Sequence, residues 1–266
     1  MVSVLFLDVK GAFPNAVTAK LILNLKKRRI LTSIVKFMKQ LLSNRKTRLK
    51  FDNYISEIIN VANGIGQGDP LSMLLYILYN ADLLELPDDP NMEDMLGYVD
   101  DIALLTIRDN LEETTQKLKD MMTKQDGGLH WSTAHNSHFK ATKSVISKFS
   151  RKTAPDPETE GRRIPLPRPS LILKGQTVQE VTSFKYLGIQ IDTQLRWKEQ
   201  VQHAISNTTK WLLQFQRLTK TTTGVKPKLM RQLYLELTCG TPPTKPTGYT
   251  KNTGSVNALR NLQKAQ

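Results

Sequence analysis

Two neighbouring carboxylates, Asp100 and Asp101, stand between the apolar runs Met95-Leu96 and Ile102-Ala103-Leu104-Leu105. That pattern predicts two short strands joined by a tight turn, with the acids at its tip. Adjacent carboxylates against a hydrophobic sheet repel one another and resist desolvation, and a divalent cation held by oxygen ligands is the usual compensation. A solvated Asp-Asp turn is the plain alternative. A third acid, Asp8, closes the apolar run Val2-Ser3-Val4-Leu5-Phe6-Leu7. A carboxylate at the carboxyl end of a buried strand is a common place for a ligand or catalytic group, and capping of the next helix is its alternative. Together the three acids could hold two Mg²⁺ ions, one activating an attacking oxygen and both clamping a phosphate in line.

The elements that must position these acids follow from apolar spacing. Val2 to Leu7 is short and branched enough to be a strand buried on both faces. After Gly11-Ala12-Phe13-Pro14, a helix runs to about Arg29 with Val17, Leu21, Ile22 and Leu25 inward, and a second spans Leu31 to Leu42. Arg45 to Phe51 and Ile55 to Val61 read as a hairpin turning at Asp52-Asn53. Asn63-Gly64-Ile65-Gly66-Gln67-Gly68-Asp69-Pro70 is a glycine-rich loop ending in a helix cap and a first-turn proline. The helix it opens, Leu71 to about Leu84, is apolar on nearly every face and is expected to be buried. Asn110 to Gln125 forms an amphipathic helix, ended by Gly127-Gly128, whose Met121 and Met122 fill core.

The stretch from Arg151 to Pro169 is rich in proline and reads as a loop or partly disordered linker. Short strands follow within Leu171 to Ile191. A long helix carries Trp197, Val201, Ile205, Leu212, Phe215 and Leu218 on one face, and a second helix covers Val225 to Leu237. Thr238 to Gln266 shows no firm structure before a short helix at Val256 to Gln263.

Across 266 residues the net charge is +14, with 39% apolar residues. The chain can therefore bury a sizeable core, and the charge points to an anionic partner. Leu25 to Lys50 holds ten Lys or Arg and no acid, and Thr193 to Gln266 holds twelve against Glu199 and Glu236. Two basic regions flanking one acidic centre suit a nucleic-acid track with cations at its middle. The single Cys239 rules out an intramolecular disulfide and a cysteine-based zinc cluster. No apolar stretch is long enough for a membrane span, and no secretory signal opens the chain.

Phe6-Leu7-Asp8-Val9-Lys10-Gly11-Ala12-Phe13 resembles the first palm motif of reverse transcriptases, and Tyr98-Val99-Asp100-Asp101 resembles their Tyr-x-Asp-Asp hairpin. The resemblance is to polymerases of non-LTR (LINE-type) retrotransposons, in the form found in many fungal genomes. Their second palm motif, Gly-x-Pro-Gln-Gly-Ser-Pro-Leu-Ser, is matched at Gly64, Gln67, Gly68, Pro70, Leu71 and Ser72, with Gly66, Asp69 and Met73 departing from the pattern. Lys143 resembles the lysine of the next motif. Phe184-Lys185-Tyr186-Leu187-Gly188 is similar to the Tyr-Leu-Gly primer grip. The resemblance covers about Val2 to Leu237.

The resemblance implies an α+β fold: a palm of antiparallel strands backed by helices, then a helical thumb, with the fingers subdomain largely missing. It divides the chain into a palm (1–150), a proline-rich linker (151–170), a primer-grip hairpin (171–192), a thumb-like region (193–237) and a tail (238–266). It also implies two Mg²⁺ or Mn²⁺ ions held by Asp8, the Val9 carbonyl, Asp100 and Asp101, with Asp8, Asp100 and Asp101 catalytic. Phe13, Gln67, Gly68 and Lys143 would contact the nucleotide, with Phe13 excluding a ribose 2′-hydroxyl. Phe184, Tyr186, Leu187 and Gly188 would grip the primer. Implied partners are an RNA template, a DNA primer and deoxynucleoside triphosphates, inside the cell and plausibly in the nucleus, without a membrane. Without fingers the chain is expected to bind primer–template and extend it poorly. Two other readings stay open: a nucleic-acid-binding remnant without catalysis, and another metal-dependent phosphotransfer enzyme such as a nuclease.

Overall fold

The apolar run at the start of the chain becomes the middle of a sheet. In a computed structural model, residues 1–140, 143–158, 161–218, 224–226, 228–229 and 231 are described. Strand β1 (Val2–Asp8) is buried from Ser3 to Leu7. Beyond it lie the short α1 (Ala12–Asn15), α2 (Thr18–Lys27) and α3 (Thr32–Leu41). Strands β2 (Arg45–Thr47), β3 (Lys50–Phe51), β4 (Tyr54–Ile55) and β5 (Ile59–Val61) form the expected hairpin in two pieces, β2 with β5 and β3 with β4. Helix α4 (Pro70–Asn80) continues as a 3₁₀ turn over Ala81–Glu85. Strands β6 (Glu93–Tyr98) and β7 (Asp101–Ile107) are the predicted acid-tipped hairpin. Helices α5 (Leu111–Thr123) and α6 (Gly128–Ala134) lead to β8 (Val145–Phe149).

Small hairpins follow: β9 (Thr153–Pro155) with β10 (Arg163–Pro165), and β11 (Ile172–Leu173) with β12 (Gln176–Thr177). Strand β13 (Gln179–Glu180) then joins β8 in parallel. The main sheet has the order β13-β8-β1-β7-β6, and β1 is antiparallel to both neighbours. One face carries Leu5, Leu7, Ile102, Leu104 and Ile146 into the core, where Leu118, Met121, Met122 and Trp131 also lie. The two methionines are core filler, as expected. The fold is thus mixed α/β, built on a mainly antiparallel sheet with helices.

The described residues fall into two compact units, Met1–Thr182 and one beginning at Ser183. The second holds β14 (Ser183–Tyr186), β15 (Ile189–Asp192) and α7 (Lys198–Leu218). Leu187 and Gly188, with φ of 47° and 84°, form the two-residue turn between β14 and β15 rather than strand. Left-handed φ at both central positions matches the twist of the flanking strands. The long helix begins one residue after Trp197, close to its expected start; the side chains of Leu212, Phe215 and Leu218 are outside the described residues. So are most of the second predicted helix (225–237) and all of 238–266, including the short helix expected at 256–263.

Two expectations need correction. Helix α4 is not buried all round: Leu75, Tyr76 and Tyr79 are inward, whereas Met73, Leu74 and Ile77 are 45, 59 and 43% exposed. It packs along one side, against α2 and β6, so apolar composition alone overstated its burial. Gly128 does not merely stop α5; it opens α6. Gly127 is the tighter position, since a Cβ there would stand 2.7 Å from the Met121 carbonyl oxygen.

Candidate active site

Strand pairing brings the first two acids together. Asp8, last in β1, is the cross-strand partner of Asp101, first in β7, and Asp100 sits beside Asp101 in the connecting turn. The turn is strained: Val99, a buried β-branched residue, has φ of 57°. Such a residue in the left-handed region is a genuine outlier and persists only where its surroundings hold it. Asn80, the buried last residue of α4, donates from Nδ2 to the Val99 carbonyl oxygen at 2.6 Å. Burial pushes the Asp101 carboxyl up, and the charges of Asp100 and Asp8 push it further.

The residues after β1 are zipped to a distant segment. Val9 bridges Phe139, with Lys10 N–H donating to the His138 carbonyl and Lys140 N–H to the Asp8 carbonyl. That bond pattern turns the carbonyl of Val9 itself away from Phe139, toward the β7 side. It also delivers the Lys140 side chain to the acids: its Nζ stands 2.8 Å from Asp8 Oδ2. The contact is an ion pair to a carboxylate oxygen that is itself buried. Asp8 in turn holds the Lys140 ammonium above its ordinary value. Lys143 is exposed in the following turn, its N–H bonded to the Lys140 carbonyl. Lys140 is therefore the lysine found at the carboxylates, and the sequence reading did not single it out.

Phe13 is half-buried on α1, its ring centroid 5.3 Å from that of Tyr76. Its carbonyl accepts from Ile65 N–H, and the Ala16 carbonyl accepts from Gly64 N–H, which stitches the glycine-rich loop to the turn after β1. Gly64 is obligatory there, because its φ is +91° and a Cβ would meet the Pro14 carbonyl oxygen at 2.7 Å. Gln67 and Gly68 are exposed, next to the cap of α4. Asp69 points back into that helix, accepting from Leu71 N–H at 2.9 Å, so its charge is committed to the helix start. Phe184, Tyr186, Leu187 and Gly188 all lie in the hairpin of the second unit.

Among the described residues, no three or more His, Cys, Asp or Glu side chains are close enough to hold a metal ion as they stand. The donor chemistry nonetheless fits a hard divalent cation. Asp8 and Asp101 are cross-strand partners with Asp100 next in the chain, one Asp8 oxygen is buried, and burial and the neighbouring charges push the Asp101 carboxyl up. Among those residues, no helix is long and apolar enough to cross a membrane.

Residues 2–191 match the family model described as reverse transcriptase (RNA-dependent DNA polymerase). Over 200 residues the chain is 26% identical to the RNA-directed DNA polymerase from mobile element jockey of Drosophila melanogaster. Over 198 residues it is also 26% identical to the probable RNA-directed DNA polymerase from transposon X-element of the same fly. Each alignment covers 74% of this chain and 20% of the relative, so the chain spans about a fifth of the length of these relatives. Among solved structures, apo telomerase from Candida tropicalis, truncated from its C-terminal domain, aligns at a TM-score of 0.49 and 13% identity. That alignment covers 72% of this chain and 34% of the telomerase chain.

Proposed function

The chain belongs to the reverse transcriptase family, and on that premise we propose that its first unit is the palm of an RNA-directed DNA polymerase. It adds deoxynucleotides to the 3′-hydroxyl of a DNA primer on an RNA template. The observation that carries this reading is the pairing of Asp8 with Asp101 across adjacent strands, with Asp100 on a strained turn beside them. Asp8, Asp100, Asp101 and the Val9 carbonyl would hold two Mg²⁺ or Mn²⁺ ions. Bound there, such ions activate the attacking hydroxyl and neutralise charge on the phosphate in line.

The remaining work belongs to the chain. Reaction of a phosphoryl group depends chiefly on positioning and charge neutralisation. The Phe13 ring, resting on Tyr76, would lie under the incoming sugar and exclude a 2′-hydroxyl. Gln67 and Gly68 would line the nucleotide, from a loop that Phe13 and Ala16 hold by their carbonyls. Lys143 and Lys140 would face the triphosphate, Lys140 once it leaves Asp8. In the second unit, the hairpin of Phe184, Tyr186, Leu187 and Gly188 would grip the primer terminus, ahead of a thumb begun by α7.

Primer extension on an RNA template with Mg²⁺ or Mn²⁺ tests the reading. A second reading, nucleic-acid binding without catalysis, is favoured by the carboxylates not standing as a ready three-ligand set. Binding of primer–template with no incorporation under either metal selects it.

A further inference from the structure

The catalytic turn has a feature that the motif Tyr98-Val99-Asp100-Asp101 does not display. Its second residue, a valine, is in the left-handed region at φ 57°, where glycine, asparagine or aspartate would be at ease. Val99 is 7% exposed, so the carbonyl of a strained residue lies away from solvent and needs a donor. That donor is Asn80, itself 6% exposed, through the 2.6 Å bond from its Nδ2. Asn80 comes from another element, 19 residues earlier, at the last position of α4. The same helix is capped at its start by Asp69, directly after Gln67 and Gly68. One rigid helix of 11 residues therefore has the nucleotide-side loop at one end and the acid-bearing turn at the other.

We propose that Asn80 is a positioning residue: its carboxamide holds Val99 in the left-handed conformation and thereby fixes the direction in which Asp100 presents its carboxylate. Without that bond the valine relaxes toward negative φ. Asp100, the next residue, then turns with it, because a change of φ at one position swings everything beyond it. The consequence for cation binding rests on the reading that Asp8, Asp100 and Asp101 form one metal site; the hold on the turn does not. Glycine at position 99 would accept positive φ without cost and make the clamp dispensable.

The experiment uses the full chain as wild type, Asp100→Asn, Asn80→Leu and Asn80→Leu/Val99→Gly, with thermal melts to establish folding. Asn80→Asp, which keeps the shape and loses the donor, replaces Asn80→Leu if the latter does not fold. Hydrogen exchange over residues 96–102 reads the turn directly, and Mn²⁺ affinity, with the metal alone as probe, reads the carboxylates. Asn80→Leu should raise exchange in that segment by about tenfold, as expected for losing a buried hydrogen bond. Mn²⁺ binding should weaken by a similar factor, and adding Val99→Gly should recover most of the Mn²⁺ loss. Unchanged exchange in a folded Asn80 variant overturns the proposal. A Mn²⁺ loss that Val99→Gly leaves unrepaired also overturns it, since that marks general damage to the core. If Asp100→Asn binds Mn²⁺ as the wild type does, the metal-site reading falls by itself, and the exchange result still decides whether Asn80 holds the turn.

Discussion

Lys140 gives Asp8 a cation from within the chain. Its ammonium lies 2.8 Å from Asp8 Oδ2, the position a divalent ion would have to contest. Lys140→Gln should therefore tighten Mn²⁺ binding by a few-fold, the size expected of an exposed ion pair. Equal or weaker binding in that variant would remove Lys140 from the competition. Phe13 rests on the aromatic ring of Tyr76. Tyr76 is fully buried beneath it, its ring packed against those of both Phe13 and Tyr79. Phe13→Val should raise ribonucleotide over deoxynucleotide incorporation by roughly tenfold or more, the discrimination that a few missing carbons of a pocket wall can supply. An unmoved ratio would leave Phe13 as a packing residue only.

Among the elements, the hairpin of the second unit depends on one carboxylate. Asp192 ends β15 and accepts N–H donors from Gln194, Arg196 and Trp197 at 3.0, 3.0 and 2.7 Å. Burial would push this carboxyl up, but the backbone donors outweigh it and hold it below the ordinary carboxylate range. The folded value thus lies under the unfolded one, so the stabilisation is complete above the ordinary carboxylate value and fades as pH falls through the folded one. Asp192→Asn should cost about 1–3 kcal/mol at neutral pH, the worth of hydrogen bonds to a charged group. Melts across pH should show the gap between variant and wild type closing in acid; a gap independent of pH would contradict the role of the charge. The elements themselves were largely legible, because the short continuous apolar run of Val2 to Leu7 and helical spacing in Leu111 to Met122 are local signals. The tertiary details were not. Nothing near Asn80 in sequence says that it meets Val99, and nothing about Val99 announces a positive φ. Lys140 reaches Asp8 only because Phe139 bridges Val9 across 130 positions of chain. Apolar composition likewise could not say which side of α4 the sheet would leave open.

For the whole molecule, the proposed function would draw affinity from the net charge of +14 and chemistry from the carboxylates, so the two can be separated. Neutralising about six backbone phosphates makes affinity fall by roughly a thousandfold between about 50 and 200 mM salt. Binding of the chain to a primer–template should show that steep dependence, and a flat response would mean the basic regions from Leu25 to Lys50 and beyond Thr193 are not engaged. The proposed catalysis would ask for geometry at Asp8, Asp100 and Asp101 that charge cannot replace. The most direct measurement is deoxynucleotide incorporation on an RNA template by the wild-type chain and by Asp100→Asn, with primer–template affinity measured in parallel. Incorporation should be weak and Mg²⁺- or Mn²⁺-dependent, and Asp100→Asn should abolish it while affinity stays within about twofold, as expected where affinity rests on distant Lys and Arg. Undiminished incorporation by Asp100→Asn would contradict the proposed catalysis at these acids.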